Sequence, residues 1–361
     1  MTFSDEIIGW YEEHGRRLPW RGIDNAYYIW LSEIILQQTR IEQGRSYYNR
    51  FVEQYPTVQD LAAASEEQVL KTWQGLGYYS RARNLHAAAR FIVRDLGGRF
   101  PDTYEGILAL KGVGRYTAAA IASFAFKLPY PVIDGNVYRL VSRCFGIATP
   151  IATPAAYKEF EALLLRLIDP KRPDAFNQAM MDFGSLYCRP LPTRGSEMQE
   201  LDGCADCVLA HRCVAYREGR VGLLPVKTAS VPVKVRWFYY VDVRWRQEDE
   251  EMMLVHRREA DDIWRGLYEV PLRELSQPLA SDMRPELCRY AEEWCGTPVE
   301  SLSVYPTVVH KLTHREIRAA YSVARLAAPP QAIPPDMRPI RLSELDQLPV
   351  SRLMERLLKR R

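Results

Sequence analysis

The 361-residue sequence lacks the long apolar segments that membrane insertion or export requires. It contains no run of about 18 apolar residues, the length that a membrane-spanning helix needs. Its first residues, MTFSDEIIGWYEEHGRR, have no apolar signal-peptide core. Internal repeats and low-complexity segments are also missing. These absences argue against a membrane, exported or repeat protein, and they predict a soluble, cytoplasmic protein.

The sequence also has little net charge. Lys and Arg number 48 against 45 Asp and Glu, which gives a formal charge of +3 at pH 7. An excess this small is compatible with a polyanionic partner but does not specify one. Because 47% of the residues are hydrophobic and 26% charged, the chain is predicted to be globular, with more than one hydrophobic core.

Strand-like alternation is scarce up to about residue 216. Apolar residues instead recur at helical spacing, with Gly and Pro clusters between the periodic segments. Such segments are Asp60 to Trp73, Ala82 to Leu96 and Tyr157 to Ile168. The pattern predicts an all-α region over residues 1–216.

The sequence changes character after residue 216. Arg220 to Arg236 contains Pro225 and Pro232 but no acidic residue, as an extended connector does. Runs such as WFYYVDVRW and IRAAYSVARL then predict strands, with a helix at Arg284 to Cys295 between them. We therefore predict a multidomain chain with a linker at 217–233 and a smaller α/β domain at 234–361.

Seven cysteines are present, and four of them are crowded together as Cys-x15-Cys-x2-Cys-x5-Cys. These four are Cys188, Cys204, Cys207 and Cys213. An odd total fits a reducing compartment, and the crowding predicts a metal site rather than core packing. Zinc and an iron–sulfur cluster both accept four thiolates, so the residues alone leave that choice open. The others are predicted to be small buried residues: Cys144, Cys288 and Cys295.

A tight turn in LKGVGRYTAAAI precedes a helix of small residues. Gly112 and Gly114 bracket Val113 in this turn. The N-terminus of the following helix would present free N–H groups and its positive dipole end to an anion such as a DNA phosphate. Two packed helices joined through glycines that bind nothing are the alternative.

Glu33 is the one acidic residue of the predicted helix YIWLSEIILQQT, Tyr28 to Thr39. Three of its four neighbours at helical spacing are apolar: Ile29, Trp30 and Leu36. The pKa of a poorly solvated carboxyl group exceeds that of a free Glu, as a general acid requires. The alternative is an ordinary solvated helix face shared with Ser32, Gln37 and Arg40.

A second carboxyl group, that of Asp134, lies in PVIDGNV. An Asp-Gly turn, or an N-cap for a helix that begins near Asn136, would explain it without catalysis. Glycoside cleavage, however, uses two carboxyl groups, one to protonate the leaving group and one to stabilise the sugar cation. Glu33 and Asp134 are candidates for that pair.

Aromatic and basic residues follow a glycine turn in WQGLGYYSRAR, residues 73–83. Tyr78 and Tyr79 lie near its tip, followed by Arg81 and Arg83. Aromatic wedges beside guanidinium groups are used to unstack duplex DNA and hold its backbone. Two core tyrosines after a loop are an equally good interpretation.

Five segments together resemble the helix-hairpin-helix DNA glycosylases, and among these the adenine DNA glycosylase (MutY) family: SEIILQQT, WQGLGYYSRARNL, LKGVGRYTAAAI, VIDGNVYRL and FNQAMMDFGSLYC. The resemblance covers nearly the whole chain. It implies a monofunctional enzyme of base excision repair that removes adenine mispaired with 8-oxoguanine or guanine. The adenosine would be flipped into a cleft between a six-helix barrel, about residues 20–125, and an iron–sulfur domain formed by the N-terminal helix and residues 126–216.

The resemblance also implies roles for individual residues. Glu33 would protonate adenine at nitrogen 7 and later help to activate water, and Asp134 would stabilise the sugar cation with help from Tyr116 and Asn136. The residues of the adenine pocket would be Arg16, Leu18, Trp20, Arg21 and Gln178. Gln38 and Tyr78 would fill the disturbed base stack, and the phosphate would lie against Gly112, Val113 and Gly114. A 4Fe-4S cluster would be held by Cys188, Cys204, Cys207 and Cys213.

Tyr116 distinguishes this chain from the similar endonuclease III branch, which has Lys at that place and uses it to cut the strand through a Schiff base. A bifunctional glycosylase/lyase would need a nearby Lys, and Lys111, before the turn, is the candidate. Lys111 also replaces the Pro usual in the family. A non-catalytic helix-hairpin-helix DNA-binding protein is the other alternative, but it would have no use for paired carboxyl groups.

The C-terminal part resembles the MutT-like (Nudix) domain of these glycosylases. WRGLYEVP matches its characteristic strand, and Thr313 and His314 match the loop that recognises 8-oxoguanine. The glutamates of PELCRYAEEWCG are too few and misplaced for a Nudix metal site, so no diphosphohydrolase activity is expected.

The resemblance implies double-stranded DNA as the partner. The chain is expected to be a monomer, bacterial-type and nucleoid-associated, with a sliding clamp as a candidate protein partner. The family spacing between the first two cysteines is much shorter than 15 residues, and the inserted RPLPTRGSEMQELDG is predicted to form a loop.

Overall fold

A computed structural model describes residues 1–190, 202–227 and 233–360, with only the backbone of Asp202. Most of the loop predicted between Cys188 and Cys204, and part of the predicted linker, therefore lie outside the described residues. The chain divides into two compact units, called here unit one (Met1–Asp60 with Ala87–Ala229) and unit two (Leu61–His86 with Ser230–Arg361). No helix of the described residues is long and apolar enough to cross a membrane.

Helices make up the described chain before the linker, which confirms the predicted all-α class. They are α1 (Phe3–His14), α2 (Ala26–Leu36), α3 (Ile41–Gln54), α4 (Val58–Ala63), α5 (Glu66–Trp73), α6 (Ser80–Asp95), α7 (Tyr104–Leu108), α8 (Arg115–Phe126), α9 (Gly135–Phe145), α10 (Pro154–Leu167), α11 (Pro173–Asp182), α12 (Asp202–Ala205) and α13 (Val214–Arg217). A π-helical turn, Phe183–Tyr187, continues α11.

One predicted helix is in fact two. Apolar spacing predicts one helix over Asp60 to Trp73, but α4 ends at Ala63 and α5 begins at Glu66. Ser65 is the N-cap of α5, where its side chain accepts a hydrogen bond from the Gln68 backbone and the Gln68 side chain accepts one from the Ser65 backbone. This capping box starts a new helix where apolar spacing alone indicates none.

The core of unit one explains why α2 is so apolar. Nine of its eleven residues are buried, and α2 packs against α3 and α8. A second apolar cluster joins α1, α9, α10 and α11, with Ile7, Val141, Phe160 and Phe176 at its centre. Side chains that project from α2, α8 and the start of α9 are therefore held by rigid elements.

Unit two contains the predicted α/β domain, whose class is confirmed. Its strands are β1 (Lys234–Gln247), β2 (Glu250–Arg257), β3 (Tyr268–Glu269), β4 (Leu272–Leu275), β5 (Val299–Lys311), β6 (Arg315–Leu326) and β7 (Met337–Arg341), and its C-terminal helices are α14 (Arg284–Cys295) and α15 (Arg352–Leu358). The segment Leu342–Gln347 is a 3-10 helix.

The sheet lies between two helices. Its strand order is β3-β2-β1-β6-β5, with β4 paired to β1 and β7 paired to β2. β1 and β6 are parallel over eleven residue pairs, Lys234–Arg315 to Arg244–Arg325. Alternate residues of β1 face opposite sides, so that Phe238 and Tyr240 pack with α15 whereas Tyr239 and Val241 pack with α14.

Candidate active site

Glu33 lies in the middle of α2 and is buried, with 6% of its surface exposed. Burial raises the pKa of its carboxyl group to about 7, although a hydrogen bond from the Tyr116 hydroxyl and the positive charge of Arg21 both act in the opposite direction. The predicted rise in pKa is confirmed. The alternative interpretation, a solvated helix face, is wrong, because Ser32 is buried as well.

Asp134 is the N-cap of α9. Its Oδ1 accepts hydrogen bonds from the backbone N–H groups of Asn136 and Val137, each at 2.8 Å, and its Oδ2 accepts one from Asn136 Nδ2 at 2.8 Å. Burial raises the pKa of Asp134, and these hydrogen bonds limit the rise. The N-cap is therefore real, and the same carboxyl group also faces a cavity shared with Glu33.

Tyr116 lies in the first turn of α8. Burial raises the pKa of its hydroxyl well above the usual value, and the nearby carboxyl groups of Glu33 and Asp134 raise it further. The hydroxyl is therefore protonated at neutral pH and remains a hydrogen-bond donor to Glu33. Lys111 is exposed and is absent from the described residues that line the cavity.

The cavity has a volume of about 410 Å³, within the range of about 300–1,000 Å³ that is usual for small-molecule pockets. It brings together nine residues predicted to act on adenine or its sugar: Arg16, Leu18, Trp20, Arg21, Glu33, Tyr116, Asp134, Asn136 and Gln178. These residues come from α2, α8, α9, α11 and the loop between α1 and α2. A cavity with three carboxyl groups, three guanidinium groups and apolar walls could hold a purine.

Two residues that the sequence did not single out hold the polar wall of this cavity. Asp182, fully buried at the end of α11, accepts hydrogen bonds from Arg16 and Arg21. Tyr11 donates one to Gln178 Oε1 at 2.5 Å. An acidic residue within the apolar run of FNQAMMDFG was a signal for Asp182; nothing comparable marks Tyr11.

Arg139 joins Asp134 to the first cysteine of the cluster motif. Its Nη2 donates to Asn136 Oδ1 at 2.9 Å, and its Nε donates to the Cys188 carbonyl at 2.8 Å. Asn136 in turn donates to Asp134. The π-helical turn lies close to this path, since a Cβ atom on Gly184 would come within 2.8 Å of Asn136. Small shifts of the turn would therefore move Asn136.

The four clustered cysteines line a second cavity, of about 570 Å³, in unit one. None of the four forms a disulfide. Arg143 Nη1 lies 3.3 Å from Cys188 Sγ. Within the described ranges, no group of three or more His, Cys, Asp or Glu residues could hold a metal ion. The four cysteines therefore line one shared space.

The predicted phosphate turn has the expected backbone. Gly112 has φ +82°, in the left-handed region that glycine tolerates. Gly114 is the N-cap of α8 and provides no side-chain hydrogen bond, so the first N–H groups of α8 are available to an external acceptor. Gly112 and Gly114 are exposed, whereas Val113 is buried.

Of the two predicted wedge residues, Gln38 belongs to unit one and Tyr78 to unit two. Both have positive φ, 56° and 47° respectively. The Tyr78 hydroxyl is hydrogen-bonded to the hydroxyl of Thr313. Thr313 and His314 are exposed in the turn between β5 and β6. Unit two thus brings Tyr78 together with the loop predicted to recognise 8-oxoguanine.

The glutamates of α14 have structural contacts. Glu292 Oε1 accepts a hydrogen bond from the Val299 N–H at 3.0 Å. Glu293 forms ion pairs with Arg273 at 3.3 Å and with Arg289 at 3.4 Å. These contacts give Glu292 and Glu293 structural roles within unit two.

Two family models match the chain. One, described as "HhH-GPD superfamily base excision DNA repair protein", matches residues 31–170, and one described as "NUDIX domain" matches residues 243–360. The first match contains Glu33, Tyr116 and Asp134. The second lies within the predicted α/β domain.

Curated relatives extend the likeness to almost the whole chain. The sequence is 32% identical over 409 residues to an adenine DNA glycosylase of Mus musculus, covering 99% of this chain and 77% of that protein. It is also 32% identical over 404 residues to an adenine DNA glycosylase of Homo sapiens, covering 99% and 73%. The solved structure of a thermostable thymine-DNA glycosylase superimposes with a TM-score of 0.53 at 28% identity, covering 60% of this chain and 95% of that one.

Proposed function

This chain belongs to the adenine DNA glycosylase family of base excision repair enzymes, and we propose that it hydrolyses the N-glycosidic bond of adenine mispaired with 8-oxoguanine or guanine without cutting the strand. The observation that carries this proposal is the cavity that a buried Glu, with a pKa of about 7, lines together with a second carboxyl group. The adenine would enter this cavity by base flipping.

In the first step, the Glu33 carboxyl group gives its proton to nitrogen 7 of adenine. The C1′–N9 bond then breaks, its electron pair leaves with the neutral base, and the sugar becomes an oxocarbenium ion. Asp134, whose carboxylate form is favoured by its three hydrogen bonds, stabilises this cation. Water attacks C1′ and returns a proton to Glu33, which completes hydrolysis to an abasic site.

Tyr116 supports hydrolysis rather than strand cleavage. A lyase step needs an amine that can attack C1′ and form a Schiff base. The phenol of Tyr116 is a donor to Glu33 and has no amine to offer, and Lys111 is not found on the described cavity wall. We therefore infer that the product strand stays intact.

We infer that unit two recognises the base opposite the adenine. The hydrogen bond between Tyr78 and Thr313 joins an exposed aromatic ring to a polar loop that could read the edge of 8-oxoguanine. His314 is exposed in the same turn.

We propose a sliding clamp as a candidate protein partner. Pull-down of the full chain with a purified clamp tests this.

The cysteine cavity supports the iron–sulfur cluster that the family resemblance implies. All four cysteines line this one cavity, of about 570 Å³, and four thiolates are the ligand set of a 4Fe-4S cluster. We propose that Cys188, Cys204, Cys207 and Cys213 hold this cluster, which when bound would cross-link their chain segments. Arg143, beside Cys188, would offset part of its negative charge. Purified protein should absorb broadly in the visible range, whereas a colourless, zinc-containing sample would refute the assignment.

Single-turnover release of adenine from duplexes with adenine opposite 8-oxoguanine tests the function. Wild type should release adenine and leave an abasic strand that breaks only after alkali. Glu33→Gln should be slower by about 10²- to 10⁴-fold. Glu53→Gln, on the exposed side of α3, is the matched control and should act like wild type. No release by wild type, or strand cleavage without alkali, would contradict the proposal.

A further inference from the structure

Asp182 is the most heavily hydrogen-bonded carboxyl group near the cavity, although it is absent from the described residues that line it. It accepts five hydrogen bonds: from Arg16 N at 2.9 Å, Arg16 Nε at 2.8 Å, Arg16 Nη2, Arg21 Nη1 at 2.6 Å and Arg21 Nη2 at 2.8 Å. Its side chain is 0% exposed, against 25% for Arg16 and 12% for Arg21. One buried anion therefore fixes two guanidinium groups in fork geometry.

Asp182 keeps its negative charge between Arg16 and Arg21. Burial would raise the pKa of Asp182, but the hydrogen bonds from Arg21 and Arg16 outweigh burial and lower it. Asp182 is therefore ionised at neutral pH. Removing its charge would leave two partly buried cations without their shared counter-ion, which is unfavourable in a poorly solvated site.

Arg21 connects this cluster to Glu33. Its charge acts on Glu33, which is also faced by the Tyr116 hydroxyl and by Asp134. The other charged residues of the cavity wall are Arg16, Arg40 and Glu42. Because Asp182 opposes the charge of Arg21, it limits the pull of that cation on the Glu33 proton.

We propose that Asp182 is a positioning residue that fixes Arg16 and Arg21 on the cavity wall and balances the charge of Arg21 beside Glu33. The inference rests on the proposed function, since it assigns Asp182 a part in holding the proton that Glu33 delivers. It also explains why an acidic residue lies at the end of α11, where the helix dipole alone disfavours negative charge.

The test compares Asp182→Asn with wild type by two readouts in the full-length protein. The first is the ionisation of Glu33, followed by NMR of ¹³C-carboxyl-labelled glutamate and assigned with Glu33→Gln. The second is the pH dependence of single-turnover adenine release. Asp174→Asn is the matched control, because Asp174 lies in the same helix but pairs with Lys127, 2.8 Å away.

In Asp182→Asn the unbalanced Arg21 should stabilise the Glu33 carboxylate. The midpoint of Glu33 ionisation should therefore fall by about one pH unit, and adenine release above neutral pH should fall about tenfold, with partial recovery at lower pH. Asp174→Asn should match wild type. In Arg21→Gln/Asp182→Asn, which lacks the cation, the midpoint should return to the wild-type value or higher.

An unchanged Glu33 midpoint in folded Asp182→Asn would overturn the inference, as would a rate loss equal at every pH, which a purely structural role predicts. If Asp182→Asn does not fold, Asp182→Glu tests the inference instead. The charge of the introduced carboxylate should preserve the midpoint of Glu33 ionisation, while the longer side chain should slow adenine release. A wild-type rate of release would refute the positioning role. If wild type releases no adenine but Asp182→Asn still shifts the midpoint of Glu33 ionisation, the proposed function is refuted. The inference about Asp182 would then still hold.

Discussion

Glu33 holds a proton near neutral pH because α2 keeps its carboxyl group out of water. The surroundings of this one group combine a donor, Tyr116, a cation, Arg21, and a second acid, Asp134. Each of these shifts the Glu33 pKa in a known direction. Substitutions at the residue scale therefore have predictable signs.

Glu33→Gln should change the pH dependence of stability as well as activity. The folded-state pKa of Glu33 is raised from 4.5 to about 7, so its favourable contribution is complete below 4.5 and is lost as the pH rises through 7. Relative to wild type, Glu33→Gln should gain up to about 3 kcal/mol in unfolding free energy between pH 4 and pH 8. Urea unfolding of both proteins at several pH values measures this gain; a constant difference would contradict the burial.

Tyr116→Phe should move the activity profile in the opposite direction to Asp182→Asn. The lost hydroxyl donates to the Glu33 carboxylate and lowers its pKa, so its removal should raise that pKa. The decline of adenine release at high pH should therefore begin at higher pH, with a lower maximal rate. A profile displaced toward lower pH would show that the hydroxyl does not act on Glu33.

At this scale, the sequence predicted Glu33 better than Asp182. Apolar neighbours at helical spacing made the burial of Glu33 predictable. The burial of the Asp182 carboxylate is explained by its hydrogen bonds from Arg16 and Arg21, which are more than 160 positions away in the sequence. No local pattern contains that contact, so the sequence predicts the pocket arginines but not their counter-ion.

At the scale of elements, Asp134 has two separable functions, as the N-cap of α9 and as a proposed catalytic carboxylate. Asn is also a good N-cap residue, so the stability of Asp134→Asn should stay near that of wild type. Its adenine release should fall by about 10²-fold or more. Asp134→Ala should lose the same activity and about 1 kcal/mol of stability as well. Thermal unfolding with single-turnover rates separates the effects; equal stability of both variants would contradict the cap.

Element boundaries followed the sequence where caps and periodicity agreed. The helix predicted at Arg284 to Cys295 has those bounds in the structure, and it ends at Gly296 with φ +62°. The break between α4 and α5 depends on Ser65 and Gln68, a local signal within an otherwise continuous apolar pattern. The π-helical turn after α11 has no sequence signature of comparable strength.

At the scale of the whole molecule, the compact units do not follow chain order. Leu61–His86 groups with the C-terminal part. Within this unit, Tyr79 donates to the Val350 carbonyl at 3.1 Å, and the Val350 N–H donates to Gln74 Oε1 at 3.2 Å. Hydropathy and linker composition predict where a domain type changes, but they cannot predict contacts between segments so distant in sequence.

Thr313→Val should weaken the distinction between opposite bases. It removes the hydroxyl that is hydrogen-bonded to Tyr78 while keeping the shape of the side chain. The ratio of adenine release opposite 8-oxoguanine to release opposite guanine should fall, by about 5- to 10-fold for a lost polar contact, with little change opposite guanine. Thr307→Val, exposed on β5, is the matched control. An unchanged ratio would exclude a part for Thr313 in recognition.

We propose that a buried Glu33 supplies the proton for adenine excision. The most direct test is the rate of single-turnover adenine release from an adenine–8-oxoguanine duplex between pH 5 and pH 9. We expect a decline with a midpoint near pH 7, following the pKa of Glu33, and loss of that transition in Glu33→Gln. A rate that stays constant through neutral pH, or a Glu33→Gln profile identical to wild type, would contradict it.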